Sequence, residues 1–200
     1  MIKNIILDFG DVLINLDKPA TAKAMVQHGF TEITPALEVL FQDYEKGFLG
    51  SSDFLDEVAS HFPNANRDYL IEAWNSILLD FPEHRLEFIE QLARENQYKM
   101  ILLSNTNDLH IEHVKEQMGM ERFNRFKNAF DVFYLSYEMG MRKPDAEIFD
   151  FVLQENRLLA HETFFVDDVA ENTASAADLG IQVWNLQVGK EDITQLKSRL

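Results

Sequence analysis

Ile2-Lys3-Asn4-Ile5-Ile6-Leu7-Asp8-Phe9-Gly10-Asp11 opens on a β-branched, apolar run and closes on two acidic residues either side of a glycine. Consecutive apolar side chains mark a strand covered on both faces, as in a parallel sheet. The run ends in a tight turn. In open parallel sheets the carboxyl ends of the strands form the ligand crevice, so Asp8 is expected there.

The rest of the chain repeats that punctuation. Lys99–Leu103 reads as a strand stopping at Ser104-Asn105-Thr106-Asn107, Val132–Leu135 is strand-like, Thr163–Val166 ends in Asp167-Asp168, and Gln182–Asn185 is a late strand. Helical periodicity fills Glu83–Glu95, Leu109–Met118 and Glu171–Leu179, the last stopped by Gly180. Lys143-Pro144 is expected to open a further helix, with Pro144 at its first position and Ile148, Phe149 and Val152 on one face. The alternation predicts an α/β fold, a Rossmann-like three-layer parallel sheet with helices on both faces.

Between the first strand and Phe81-Pro82 no strand pattern occurs. Helical periodicity shows in Ala22–Gln27, Ala36–Tyr44, Phe54–His61 and Tyr69–Leu79, with Ser51-Ser52-Asp53 as a candidate N-cap for the third. The division expected is a core of residues 1–14 and 82–200, and a small all-helical cap of residues 15–81 inserted after the first strand.

Eighteen Lys and Arg against 34 Asp and Glu give a formal charge of −16, a surface that disfavours nucleic acid and anionic membranes as partners. It also repels phosphorylated molecules, so an enzyme acting on them needs a local reversal of field. The absence of cysteine excludes disulfides, thiolate metal sites and a cysteine nucleophile. Without a signal-like N-terminus or an apolar run of membrane length, a cytoplasmic location is expected. Monomer and homodimer both remain open. The six histidines are scattered and expected at the surface, and the 16 phenylalanines read as core and cap filling.

Asp8, Ser104, Lys143 and the Asp167-Asp168 pair each sit where a strand ends or a helix begins, at positions the fold would gather on one edge. Their chemistry is mutually consistent. Asp8 and Asp168 offer hard oxygen ligands to Mg²⁺, and Asp8 is also a candidate nucleophile. Ser104 is a hydrogen-bond donor for a phosphoryl oxygen, and Lys143 adds positive charge there.

These segments resemble the haloacid dehalogenase superfamily over nearly the whole chain. Ile6-Leu7-Asp8-Phe9-Gly10-Asp11-Val12-Leu13 is similar to its first motif, Leu102-Leu103-Ser104-Asn105 to its second, and Gly140-Met141-Arg142-Lys143-Pro144-Asp145 to its third. Phe164-Phe165-Val166-Asp167-Asp168, followed by Asn172, is similar to the fourth. Tyr44-Glu45-Lys46-Gly47, Phe54, Ser104-Asn105-Thr106-Asn107 and Tyr134-Leu135-Ser136 resemble the branch containing sugar-1-phosphate phosphatases. The resemblance implies a Mg²⁺-dependent phosphatase of a small phosphorylated metabolite, a sugar phosphate in that branch, working through an aspartyl-phosphate on Asp8. It implies metal ligation by Asp8, the Gly10 carbonyl, Asp167 and Asp168, and phosphate binding by Ser104, Asn105 and Lys143. Glu45 and Phe48, at a break between two cap helices, are placed where a loop could reach the leaving group.

One position departs from the pattern. The first motif usually carries a second Asp two residues after the nucleophile, as general acid and base, and here that residue is Gly10. The departure keeps open a binding or regulatory protein with little turnover. A metal-independent dehalogenase shares the fold, but it has no use for the acidic pair of the fourth motif.

Overall fold

A computed structural model describes all residues, 1–200. Five strands, β1 (Asn4–Leu7), β2 (Lys99–Ser104), β3 (Val132–Leu135), β4 (Thr163–Asp167) and β5 (Gln182–Asn185), form one parallel sheet in the order β3-β2-β1-β4-β5. β1 is central, pairing Asn4 with Lys99 on one side and with Thr163 on the other.

Strand periodicity divides the interior into two layers. Ile5, Leu7, Met100, Leu102, Phe164 and Val166 face one way, against α5 (Glu83–Glu95), α6 (Asp108–Met118) and α7 (Met120–Asn128). Ile6, Ile101, Leu103 and Phe165 face the other, against α9 (Ala146–Glu155) and α10 (Ala170–Asp178). All ten of these strand side chains are buried. The Rossmann-like three-layer expectation is met.

The insert supplies α1 (Ala20–Met25), α2 (Pro35–Glu45), α3 (Ser51–His61) and α4 (Arg67–Asn75). Its 11-residue apolar cluster draws only on residues from Met25 to Ala73, so it is packed independently of the sheet. The two links to the core lie side by side. Asn15 N–H donates to the Asp80 carbonyl at 2.9 Å, Leu79 N–H to the Asn15 carbonyl at 3.0 Å, and Asp17 N–H to the Ile77 carbonyl at 2.9 Å.

That stem corrects the fourth cap helix, expected over Tyr69–Leu79. It ends at Asn75 because the backbone of Ile77 and Leu79 pairs with Asp17 and Asn15. Ser51-Ser52-Asp53 does not precede α3 as a cap; Ser51 is its first residue, and Gly50 holds the cap position without a side-chain bond. Ser51 Oγ is taken instead by Asp108. Pro144 is not the first residue of α9, which starts at Ala146. Asn105 clamps Lys143 beforehand, accepting from its N–H at 2.9 Å and donating to its carbonyl at 2.8 Å. α7 and the single turn α8 (Ser136–Met139) fall in stretches given no helix in the sequence reading.

Candidate active site

Asp8 leaves the end of β1, Ser104 closes β2, Asp167 closes β4, and Lys143 lies in the loop ahead of α9. Four distant segments therefore converge on one sheet edge. One carboxylate oxygen each from Asp8, Asp167 and Asp168 lies within 4.8 Å of the others. Lys143 is 1% exposed, and its Nζ donates to Asp8 Oδ1 at 2.6 Å and to Asp167 Oδ2 at 2.7 Å. Burial pulls the Lys143 pKa down, but the two carboxylates outweigh it and hold the ammonium charged. Burial pushes the Asp8 carboxyl up, against the pull of Lys143.

The two adjacent acids differ. Asp167 is fully buried and spent on the protein: Asn172 Nδ2 donates to Oδ2 at 3.0 Å and Val169 N–H to Oδ1 at 2.8 Å, besides Lys143. Asp168 reaches the rim, where Lys18 Nζ meets its Oδ2 at 2.5 Å. Asp11 turns in through a left-handed backbone, φ 53°, and its Oδ2 lies 3.0 Å from the same Lys18 Nζ. Lys18 thus joins Asp11 to Asp168, a cation that no sequence motif singles out.

Ser104 is buried, and its Oγ makes only a long 3.4 Å contact to the Asn105 carbonyl, which leaves the hydroxyl available as a donor. Asn105, expected on phosphate, is corrected: both ends of its side-chain amide are spent on the Lys143 backbone, so the side chain positions Lys143. The Gly10 carbonyl accepts from Val12 N–H at 2.6 Å and keeps a second lone pair. A Cβ at Gly10 would meet the Leu16 Cδ1 tip at 2.9 Å and lie 3.9 Å from Asp8 Oδ2, so the position faces the Asp8 carboxylate beside a movable methyl. Carboxylates and a carbonyl are hard oxygen donors of the kind Mg²⁺ takes, and the residues present fit that ion.

The cap closes on this edge through polar pairs. Arg142 takes part: its Nε donates to Glu45 Oε2 at 3.0 Å, across the cap–core boundary. Burial raises the Glu45 pKa, and Arg142 opposes it. Lys46 and Asp145 pair at 3.4 Å, and Tyr44 OH donates to Asp108 at 2.6 Å. Gly47, at φ 70°, sits so close to the Tyr137 carbonyl that any Cβ would collide with it. Phe48, by contrast, is 65% exposed.

His110 is corrected too, because it is not a surface residue. Its ring stacks on Trp74 at 5.3 Å, its Nε2 lies 3.2 Å from the Trp74 carbonyl, and Asn107 Nδ2 lies 3.3 Å from its Nδ1. With Asn107 donating and the carbonyl accepting, the ring is neutral with its proton on Nε2. Burial holds its pKa down at about 4, against a usual 6.5, and the bond to Trp74 offsets only part of that. Between pH 6.5 and about 4 the unfolded chain binds a proton here that the folded protein refuses, so stability falls as pH drops through that window. Thermal melts from pH 7.5 to 4.5 are expected to fall more steeply for the parent than for His110→Gln. Parallel slopes would exclude this role.

Comparison with known proteins agrees with this geometry. A family model described as haloacid dehalogenase-like hydrolase matches residues 2–180. A D-ribitol-5-phosphate phosphatase of Bacteroides thetaiotaomicron is 28% identical, over 96% of this chain and 95% of its own. A solved haloacid dehalogenase family enzyme of the same organism is 36% identical, covers 98% of both chains and superimposes with a TM-score of 0.88. That enzyme has also been solved with magnesium and inorganic phosphate. A predicted hydrolase of the same type from Porphyromonas gingivalis, 27% identical, covers 100% of this chain and 98% of its own, with a TM-score of 0.84. With a family model matched over residues 2–180, this chain belongs to the haloacid dehalogenase-like hydrolases.

Proposed function

We propose that the protein is a Mg²⁺-dependent phosphomonoester hydrolase of a small phosphorylated metabolite, working in the cytoplasm through an aspartyl-phosphate on Asp8. The observation that carries this reading is Lys143, a buried cation held between Asp8 and Asp167 at 2.6 and 2.7 Å. A site built for an uncharged substrate has no need of an ammonium there, whereas a phosphoryl group brings charge that must be met. Asp8, Asp168 and the Gly10 carbonyl would hold Mg²⁺, which when bound neutralises charge on the phosphoryl oxygens.

Asp8 attacks phosphorus through a carboxylate oxygen as the ester P–O bond breaks. Ser104 Oγ donates to a phosphoryl oxygen, Lys143 steadies the charge, and water then cleaves the aspartyl-phosphate. Asp167 fixes Lys143 more than it ligates. The substrate's alcohol is less defined: the branch resemblance and the D-ribitol-5-phosphate phosphatase support a sugar or polyol phosphate. The test is p-nitrophenyl phosphate hydrolysis with Mg²⁺ and with EDTA. Turnover that EDTA abolishes supports the proposal. A protein without turnover is a binding protein, and metal-independent release of halide marks a dehalogenase.

The acidic pair gives a graded prediction. Asp168→Ala should raise the Mg²⁺ concentration for half-maximal rate roughly tenfold or more, as loss of one hard ligand requires. Asp167→Ala should change that concentration less yet lower the melting temperature more, since three donors lose their acceptor. Equal metal dependence in the two variants would refute the assignment.

Gly10 gives another. Positioned general acid–base catalysis contributes about 10²–10⁴-fold, so a site without a carboxyl there should favour leaving groups that need no proton. Gly10→Asp, placed facing Asp8 with only the tip of Leu16 to displace, should raise kcat on alkyl phosphates by about tenfold or more. A well-folded Gly10→Asp without gain, together with a crippled Asp11→Ala, would mean that Asp11 already carries the proton.

A further inference from the structure

A cavity of about 220 Å³ lies among the four cap helices, and 13 of its 17 lining residues are hydrophobic, Phe41, Phe54, Phe62 and Trp74 among them. It opens to solvent past Lys18 and Ile33, and an apolar cavity of about 150 Å³ is already enough to bind benzene. This one adjoins the candidate site. Lys18, which lines it, touches Asp168 and Asp11 with its Nζ, and Glu45, which also lines it, is held by Arg142 next to Lys143.

The four polar lining residues are Lys18, Thr21, Glu45 and His110, and each is committed to the protein. Thr21 Oγ1 and His110 Nε2 both meet the Trp74 carbonyl, at 3.4 and 3.2 Å. A polyol in such a space would leave hydroxyls without partners, which is costly, whereas a hydrocarbon or aromatic group gains by every methylene it buries.

We infer that the cap cavity receives the alcohol half of the substrate and that this alcohol is apolar: an alkyl, prenyl-like or arylalkyl monophosphate, with its phosphate at Asp8 and its hydrocarbon among Phe41, Phe54 and Trp74. This rests on the phosphatase reading and departs from the polyol that the relative's name suggests. Lys18 and Glu45 stand at the boundary between the charged edge and the apolar chamber.

The test uses the full chain with Mg²⁺ and a set of primary-alcohol esters: the n-alkyl series from ethyl to hexyl phosphate, 2-phenylethyl phosphate, glycerol 1-phosphate and D-ribitol 5-phosphate. The hexyl and phenylethyl esters should exceed both polyol esters in kcat/KM by roughly thirtyfold or more, chiefly through KM. From ethyl to hexyl phosphate the value should climb about threefold per methylene until the cavity is full. Ala73→Leu, which places a larger side chain on the cavity wall, should lower the phenylethyl-to-ethyl ratio about tenfold. A raised melting temperature with an unchanged ratio would make the space a packing void and overturn the inference. Better turnover of the polyol esters would overturn it and leave the phosphatase reading standing. Hydrolysis of none of the esters would overturn both.

Discussion

Asp8→Asn should lower kcat by roughly a thousandfold or more while the protein stays folded. The amide is nearly isosteric, but it is a poor nucleophile and a poor hard ligand, so attack on phosphorus and the metal site fail together. The structural cost is small for a specific reason. Burial already disfavours charge on Asp8, and Asp167 remains to pair with Lys143. The melting temperature should therefore stay within a few degrees of the parent, and a Mg²⁺ phosphatase assay beside a thermal melt separates the two effects. Residual turnover above a few per cent of the parental rate would show that Asp8 is not the nucleophile.

Lys143→Ala should fail on both counts. Its Nζ is the only cation touching Asp8 or Asp167, both of which are buried. Breaking a buried ion pair by removing one partner costs about 3–5 kcal/mol, because the remaining charge is left uncompensated. In a domain of this size that is a fall in melting temperature of roughly 10 °C. Activity should drop by about a hundredfold or more, from loss of charge stabilisation at the phosphoryl group. Added Mg²⁺ should restore part of the lost stability, since an ion bound to the folded form shifts the balance toward it. Near-parental rate and stability in this variant would remove Lys143 from the site.

The parts of the molecule visible in the sequence are those coded locally. Ile5 to Leu7 and Phe164 to Val166 are apolar on every residue, so each announces a strand buried on both faces, and the acids after them mark the edge. Lys18, Arg142 and His110 were not legible, because each acquires its role across the cap–core boundary, from Asp168, Glu45 and Trp74 respectively. Short-range pattern carries no information about such pairings. α7 escaped because Gly119 interrupts the periodicity directly after α6, although Phe123 and Phe126 are spaced for one helix face. Asn105 carries the right residue type for phosphate, and only the structure shows its amide turned to the Lys143 backbone.

The central place of β1 in the sheet bears on how the molecule comes into being. Its partners begin at Lys99 and Thr163, so β1 is synthesised well before either neighbour exists. The cap cluster, by contrast, is contiguous from Met25 to Ala73 and can condense early. Contacts between sequence-distant strands form slowly, because loop closure must precede any gain from pairing. The nascent chain therefore carries an exposed apolar strand ahead of a helical unit already able to condense, and chaperones are the natural shield for such a strand. Truncation anywhere before β4 leaves Asp8 without Asp167, so this edge of the sheet is assembled only once β4 has been made.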